Sequence, residues 1–300
     1  MITGAMTAVP LSPRSTPRFA VSSLTTAQVE KFNEDGFLIL ENFLGRQEVK
    51  DVLRRFEPLF SGEFETGIWP DKIKWQKGDP EDVPRSLCNV WKSDRTVARV
   101  ILGETIGKLS AQLMGWPGTR SNQDTIFWVP PGAGTTSIHQ DNSYQDWHLP
   151  GGVITCWISL SDATAQGGTL EYVRGSHKWP LGQRVAKFAG AANYRSEVDA
   201  AAARVGAQVE LVPVVVPPGG AAFHGGGMWH GANFNRSDQP RCTLATHCMS
   251  SESRFHPVTP SPVFSHYKRF GDLTMDESFF PVLWTANGRR SQFLDSYLSC

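Results

Sequence analysis

The chain has 300 residues, a length that suits one large domain and can bury roughly three quarters of its unfolded surface without disulfide staples. Charge is balanced, with 29 basic and 29 acidic residues; no basic tract interleaved with aromatics suggests a nucleic-acid groove and no polybasic helix suggests a membrane surface, so the expected partner is a small molecule, with oligomeric state left open. Five cysteines, an odd count without a Cys-x-x-Cys pair, read as reduced thiols in a cytoplasmic protein, and no run of about 18 apolar residues is present to span a membrane.

In chain order, the first 22 residues carry Pro10, Pro13 and Pro17 among Ser, Thr and Ala. They lack the apolar core of a signal peptide and read as a disordered lead, leaving 23–300 as a single domain. Thr25 with Gln28 three residues on has the form of a capping box. Val29 and Phe32 begin the apolar stripe of a first helix, which Gly36 ends. Residues 37–40 read as a strand. Val49, Val52, Leu53, Phe56 and Phe60 recur at helical spacing and predict a helix over 46–60. Residues 61–89, with Trp69, Trp75 and several prolines, read as irregular and potentially functional. A third helix is predicted over 94–113.

After Trp116 the texture changes to short β-rich runs between Gly and Pro turns: 125–129, 135–139, 153–160, 169–173, 209–212, 221–224 and 241–249. Strands at this spacing indicate a sandwich or barrel. The expected class is mainly β with flanking helices, a jelly roll of the cupin-like or double-stranded β-helix kind, with the helices on one outer face. The tail from Phe255 to Cys300 is rich in aromatics and reads as a cover over the roll, part of which could lid a substrate pocket.

The motif that carries chemistry is His139-Gln140-Asp141. Residues two apart on a strand face the same way, so His139 and Asp141 would aim a nitrogen and an oxygen at one point. Alone, His-x-Asp is a common pattern. His230 is the candidate third ligand, and two histidines with one carboxylate on one face form the facial triad of non-haem Fe(II) oxygenases. Of the eight histidines, His224 lies six before His230 and His247 six after Arg241, so even spacing could bring both near the pocket. His148 and His177 read as loop residues, with His148 beside Trp147 in a position to touch substrate. For these four, a satisfied or solvated histidine is the simpler reading.

From about Asn33 to Met249 the chain resembles the phytanoyl-CoA dioxygenase family of iron(II)/2-oxoglutarate oxygenases. The anchors are Pro130-Pro131-Gly132-Ala133-Gly134 leading into His139-Gln140-Asp141, the run 157–162, the Gly-x-Leu and Gly-Ser-His-Lys signature within 168–178, and His230-Gly231 followed by Asn233 and Arg241. The resemblance implies a double-stranded β-helix, with Fe(II) held by His139, Asp141 and His230. It also implies 2-oxoglutarate as cosubstrate, its distal carboxylate on Arg241, and O2 as oxidant. A planar, permanently charged guanidinium suits a carboxylate fork. Trp157 matches a position lining the cosubstrate pocket, and Gln123 one where some relatives carry a cosubstrate-contacting amide.

Two departures stand out. Some members use a lysine before the roll to hold the cosubstrate; none stands at that place here, and Arg85 is the nearest substitute. Val129 occupies a position where many relatives have lysine. Because related halogenases replace the carboxylate ligand by Ala or Gly, Asp141 points to hydroxylation or another oxidation of a small-molecule metabolite, with release of succinate and CO2. Two rival readings are a non-catalytic jelly-roll binding protein and a zinc hydrolase on the same ligands, although no His-Glu-x-x-His helix is present.

Overall fold

The computed structural model describes residues 17–299, so most of the expected disordered lead lies outside the described residues. Ordered contacts begin ahead of Ser23: Phe19 bridges to Leu44, and the Ala20 N–H donates to the Phe43 carbonyl at 2.9 Å. Helix α1 (Thr26–Asp35) starts at the expected capping box, with Gln28 N–H on the Thr25 hydroxyl and Thr25 N–H on the Gln28 amide oxygen. It ends at Gly36 in the left-handed region, φ 87°, a conformation glycine adopts without a Cβ penalty. Strand β1 (Phe37–Leu40) and helix α2 (Arg46–Phe60) follow as predicted.

Two local expectations need correction. The segment 61–89 is not wholly irregular, because β2 (Lys72–Ile73) and β3 (Arg85–Cys88) pair within it and extend the main sheet; runs this short between prolines leave no readable period. The third helix is two, α3 (Arg95–Ile101) and α4 (Glu104–Met114). Asp94 caps α3 by accepting from the Val97 N–H at 3.0 Å, and Gly103 breaks the run with extended backbone, φ −61° and ψ 135°, in keeping with glycine's poor helix propensity.

The β region contains β4 (Gly118–Val129), β5 (Thr136–His139), β6 (His148–Leu149), β7 (Ile154–Ser159) and β8 (Leu170–Val173). After helix α5 (Ser196–Val205), which the sequence did not announce, come β9 (Leu211–Pro213), β10 (Ala221–Gly225), β11 (His230–Ala232), β12 (Arg241–Ser250), β13 (Arg254–Phe255) and β14 (Val282–Thr285), then helix α6 (Phe293–Ser299). The larger sheet has the order β1-β10-β7-β12-β4-β3-β2, with β14 paired to β4; the smaller has the order β5-β11-β8-β9. All these pairings are antiparallel. The two sheets facing each other form the expected double-stranded β-helix.

Alternation along the strands decides what each face does. On β12, Cys242, Leu244 and Cys248 join the main core with Phe56, Ile101 and Leu109 of the helical layer. The intervening Arg241, Thr243, Ala245 and His247 point into the space between the sheets. The aromatic tail is a cover: Phe255, Phe264 and Phe280 enclose Trp147, which is 2% exposed. Trp147 and His148 are thus packing residues and not substrate contacts, and Trp75 sits in the main core. Among the described residues no helix is long and apolar enough to cross a membrane.

His148 yields a pH prediction. It is fully buried, its Nδ1 lies 3.0 Å from the Pro150 carbonyl and its Nε2 has no partner. Burial pushes its pKa down to about 4. Between that value and about 6.5 the unfolded chain binds the extra proton, so stability rises with pH through the window and is lost on acidification, by about 3 kcal/mol at the lower end. Urea unfolding of the metal-free protein at pH 7 and pH 4 should show His148→Leu losing about 3 kcal/mol less than the wild type across that interval. Equal losses would show that His148 is not held neutral.

Candidate metal centre and cosubstrate pocket

Two rows of side chains face each other between the sheets. On the smaller sheet His139 pairs with His230 and His230 with Tyr172, across β5, β11 and β8. On the larger sheet Gln123 pairs with His247, His247 with Thr155 and Thr155 with His224, across β4, β12, β7 and β10. Directly opposed residues of antiparallel strands share a face, so each row presents its polar groups to the other. Asp141 lies between them.

The strand carrying His139 ends at that residue, as expected, so Asp141 lies beyond it. Gln140 stays extended (φ −116°, ψ 129°) and Asp141 opens a short 3-10 turn over Asp141–Ser143. The one extended residue preserves the alternation, so Asp141 returns to the side of His139. Gln140 points away, donating to the Gly227 carbonyl and accepting from the Gly182 N–H, both at 2.6 Å. His224 and His230 do not share a strand face. The chain leaves β10 at Gly225 and re-enters the other sheet at His230, yet their rings meet at 4.1 Å between centroids. Gly231 is required there, since a Cβ would stand 2.7 Å from the Thr136 carbonyl oxygen.

One ligand atom from each of His139, Asp141 and His230 lies within 4.8 Å of the other two, and all three residues are buried. The Nδ1 atoms of both histidines are taken by backbone carbonyls two residues back, Ser137 at 2.8 Å and Met228 at 2.9 Å. Each ring therefore carries its proton on Nδ1 and turns the Nε2 lone pair inward, the tautomer a metal requires. The Nε2 atoms stand 3.4 Å and 3.6 Å from Asp141 Oδ1. The other oxygen, Oδ2, accepts from the Thr155 hydroxyl at 2.8 Å and has His224 Nε2 at 3.3 Å and His247 Nε2 at 3.4 Å. Tyr172 Oη lies 2.9 Å from His224 Nδ1. With the tyrosine donating there, the Nε2–H of His224 is fixed on Asp141. One carboxylate oxygen is thus held by the larger sheet while its twin faces the two histidines of the smaller one. Burial alone would raise the Asp141 pKa, but the surrounding imidazoles hold it well below the usual carboxylate range; burial pushes His230 well down as well. A carboxylate and two neutral imidazoles converging in this way are a donor set suited to a divalent iron.

These residues line a cavity of about 440 Å³ that also contains Arg241, Trp157 and Gln123. Arg241 is the clearest unsatisfied group. Burial lowers its pKa to about 10, and its Nη1 is buried without a hydrogen-bond partner, an arrangement that invites an anion. Trp157 forms part of the wall, and Gln123 reaches the Thr125 hydroxyl at 3.4 Å. Arg85 faces the other side of the sheet, sandwiched between Trp75 and Trp128 with its guanidinium carbon 3.9 Å and 4.3 Å from their ring centres, so it does not stand in for a cosubstrate lysine. The lysines of the cavity are Lys72, on the two-residue strand β2, and Lys74, the residue just after it; that strand is too short to be read from sequence. His224, His247 and Tyr172 join the site through contacts that the sequence does not announce. Parity placed His247 near the pocket, but the inter-sheet contact to Asp141 has no signature in one sequence.

A strap over residues 182–194 closes this side. It runs along β5, with the Ser137 N–H on the Phe188 carbonyl at 2.9 Å, the Ile138 N–H on the Tyr194 carbonyl at 2.8 Å, and a bridge from Thr136 to Ala189. Phe188 packs at a tilt against His139, 4.6 Å between ring centres, and Tyr144 meets the same imidazole edge-on at 5.9 Å.

Comparison with known proteins fits this geometry. Residues 32–243 match the family model for phytanoyl-CoA dioxygenase (PhyH). The dioxygenase andF of Emericella variicolor is 28% identical over 242 residues, covering 78% of this chain and 74% of that protein. The phytanoyl-CoA dioxygenase domain-containing protein 1 of Bos taurus is 25% identical over 269 residues, covering 77% and 92%. Among solved structures, the non-heme alpha-ketoglutarate-dependent carbocyclase SnoK from nogalamycin biosynthesis superposes with a TM-score of 0.67 at 21% identity, covering 86% of this chain and 96% of that one, and shares the fold. The chain belongs to the phytanoyl-CoA dioxygenase family.

Proposed function

We propose that the family's oxygenase chemistry, dependent on Fe(II), 2-oxoglutarate and O2, is assembled in this chain on His139, Asp141, His230 and Arg241, and that it hydroxylates an unactivated C–H bond of a small-molecule metabolite. The observation that carries the assignment is the pairing, within one cavity, of three convergent metal donors with a buried arginine that has an unpartnered nitrogen. When bound, the iron and cosubstrate supply the oxidant, with succinate and CO2 as coproducts.

The chain's own residues do the rest. Ser137 and Met228 carbonyls fix the histidine tautomers, and Thr155 with His224 holds Asp141 so that one oxygen remains for the metal. Arg241 would receive the distal carboxylate of 2-oxoglutarate, with Trp157 and Gln123 as neighbouring wall. Phe188 and Tyr144, packed on His139, keep water from that flank. We further read residues 23–300 as one oxygenase domain working in the cytoplasm, where the four buried, unpaired cysteines among the described residues would stay reduced.

Mixing the protein anaerobically with Fe(II) and 2-oxoglutarate should produce a weak visible charge-transfer band. It should vanish in Asp141→Ala and His230→Ala, while Arg241→Ala should raise the 2-oxoglutarate concentration needed for it at least tenfold. A normal band and normal succinate formation in His230→Ala would sink the triad. Removing a hydrogen-bond partner of a ligand typically costs about 10- to 100-fold in metal affinity. Co(II) titration followed by calorimetry should therefore give that loss for His224→Phe and a smaller one for Tyr172→Phe, with unchanged melting of both metal-free proteins. Unaltered Co(II) affinity in His224→Phe would remove it from the site.

A further inference from the structure

The mouth of the cavity has a composition that the iron and 2-oxoglutarate do not use. Of the described residues that line the cavity, three are exposed, Lys72, Lys74 and Phe188, so these form the rim. Lys72 and Lys74 are two apart along one extended edge, and both turn to the cavity side. Their attachment points are about 6.7 Å apart on that geometry. Lys74 Nζ lies 5.7 Å from the centre of the Phe188 ring. Among the described residues no carboxylate pairs with either ammonium. The nearest acid in sequence, Asp71, is turned away, with one oxygen on Lys92 Nζ at 2.7 Å and the other on the Tyr267 hydroxyl at 2.6 Å. Burial and the neighbouring Lys72 both depress the Lys74 pKa, as expected for two like charges left without a counter-ion.

The charge balance of the cavity gives this rim a meaning. Three basic side chains, Lys72, Lys74 and Arg241, face one carboxylate, Asp141. A divalent iron and a dianionic cosubstrate cancel each other, Asp141 offsets Arg241, and the two rim lysines remain. The cavity wall also contains the apolar side chains of Phe127, Trp157, Leu170 and Val263.

We infer that the primary substrate is an organic anion whose carboxylate, phosphate or phosphonate group rests on Lys72 and Lys74 at the mouth while its carbon skeleton extends along the apolar wall to the metal point. This rests on the proposed function for the direction of binding, and the rim also draws such anions in by electrostatic steering.

The test uses butyrate, hexanoate and butylphosphonate beside uncharged butanol and hexanol, each titrated into the anaerobic Fe(II) protein at saturating 2-oxoglutarate and read as a change in the visible band. The anions should bind at least tenfold more tightly than the alcohols of equal chain length, less so as salt rises. Carboxylate against phosphonate affinity identifies the headgroup. Lys72→Ala/Lys74→Ala should lose at least tenfold for the anions, Lys74→Arg should keep most of the affinity, and 2-oxoglutarate affinity should change less than twofold. Equal binding of the alcohols overturns the inference. So does a lysine variant whose loss falls on 2-oxoglutarate, since Lys74 would then be a cosubstrate ligand. Calorimetry with the same probes needs no band. A lysine-dependent anion affinity there supports the rim even where no band forms, and absence of the band in the wild type counts against the metal reading alone.

Discussion

The carboxylate of Asp141 is the point on which the two sheets agree. A buried anion costs several kcal/mol unless it is surrounded by donors or positive charge, and this one is encircled by four imidazoles and a hydroxyl drawn from five strands. The surroundings are divided by oxygen atom. Thr155, His224 and His247 of the larger sheet meet Oδ2, whereas His139 and His230 of the smaller sheet meet Oδ1. A metal held at the inner point would join the layers as well as serve the chemistry, linking its binding to the closure of the sandwich.

Arg241 shows the same economy from the opposite sign. A buried guanidinium with no carboxylate partner in the protein is unfavourable by itself, and the strand that carries it is otherwise fully paired, with Val129 across from it. A ligand carboxylate would relieve that cost. The residue opposite is an uncharged valine, Val129, which brings no second cation beside the arginine.

Much of the fold was legible because its signals are local. The capping box at Thr25, the helical stripe of 46–60 and the alternation of 241–249 each depend on neighbours in sequence, and each element appears at its expected place. The residues that meet in the cavity were legible as far as spacing reached: the candidate donors His139 and Asp141 by alternation, and His230 and the cavity arginine Arg241 through the ordered motifs of the family. What escaped depends on contacts between distant segments. The hydrogen bond from Tyr172 to His224 spans 52 residues and the one from His224 to Asp141 spans 83. Lys72 and Lys74 became cavity residues only when a two-residue strand paired with β3. The break between α3 and α4 was visible in principle as Gly103, but continuous apolar spacing on either side masked it.

The strap over residues 182–194 has one further consequence. Strand β5 is the outermost strand of the smaller sheet, so its unpaired backbone groups would offer a template to any passing chain. The strap takes up those groups from Thr135 to Ile138 without being a regular strand itself, and it carries the charged Lys187 and a glycine at 190 along its course. The segment that packs Phe188 against His139 thus also blunts an edge of the smaller sheet that would otherwise be open to pairing with another chain.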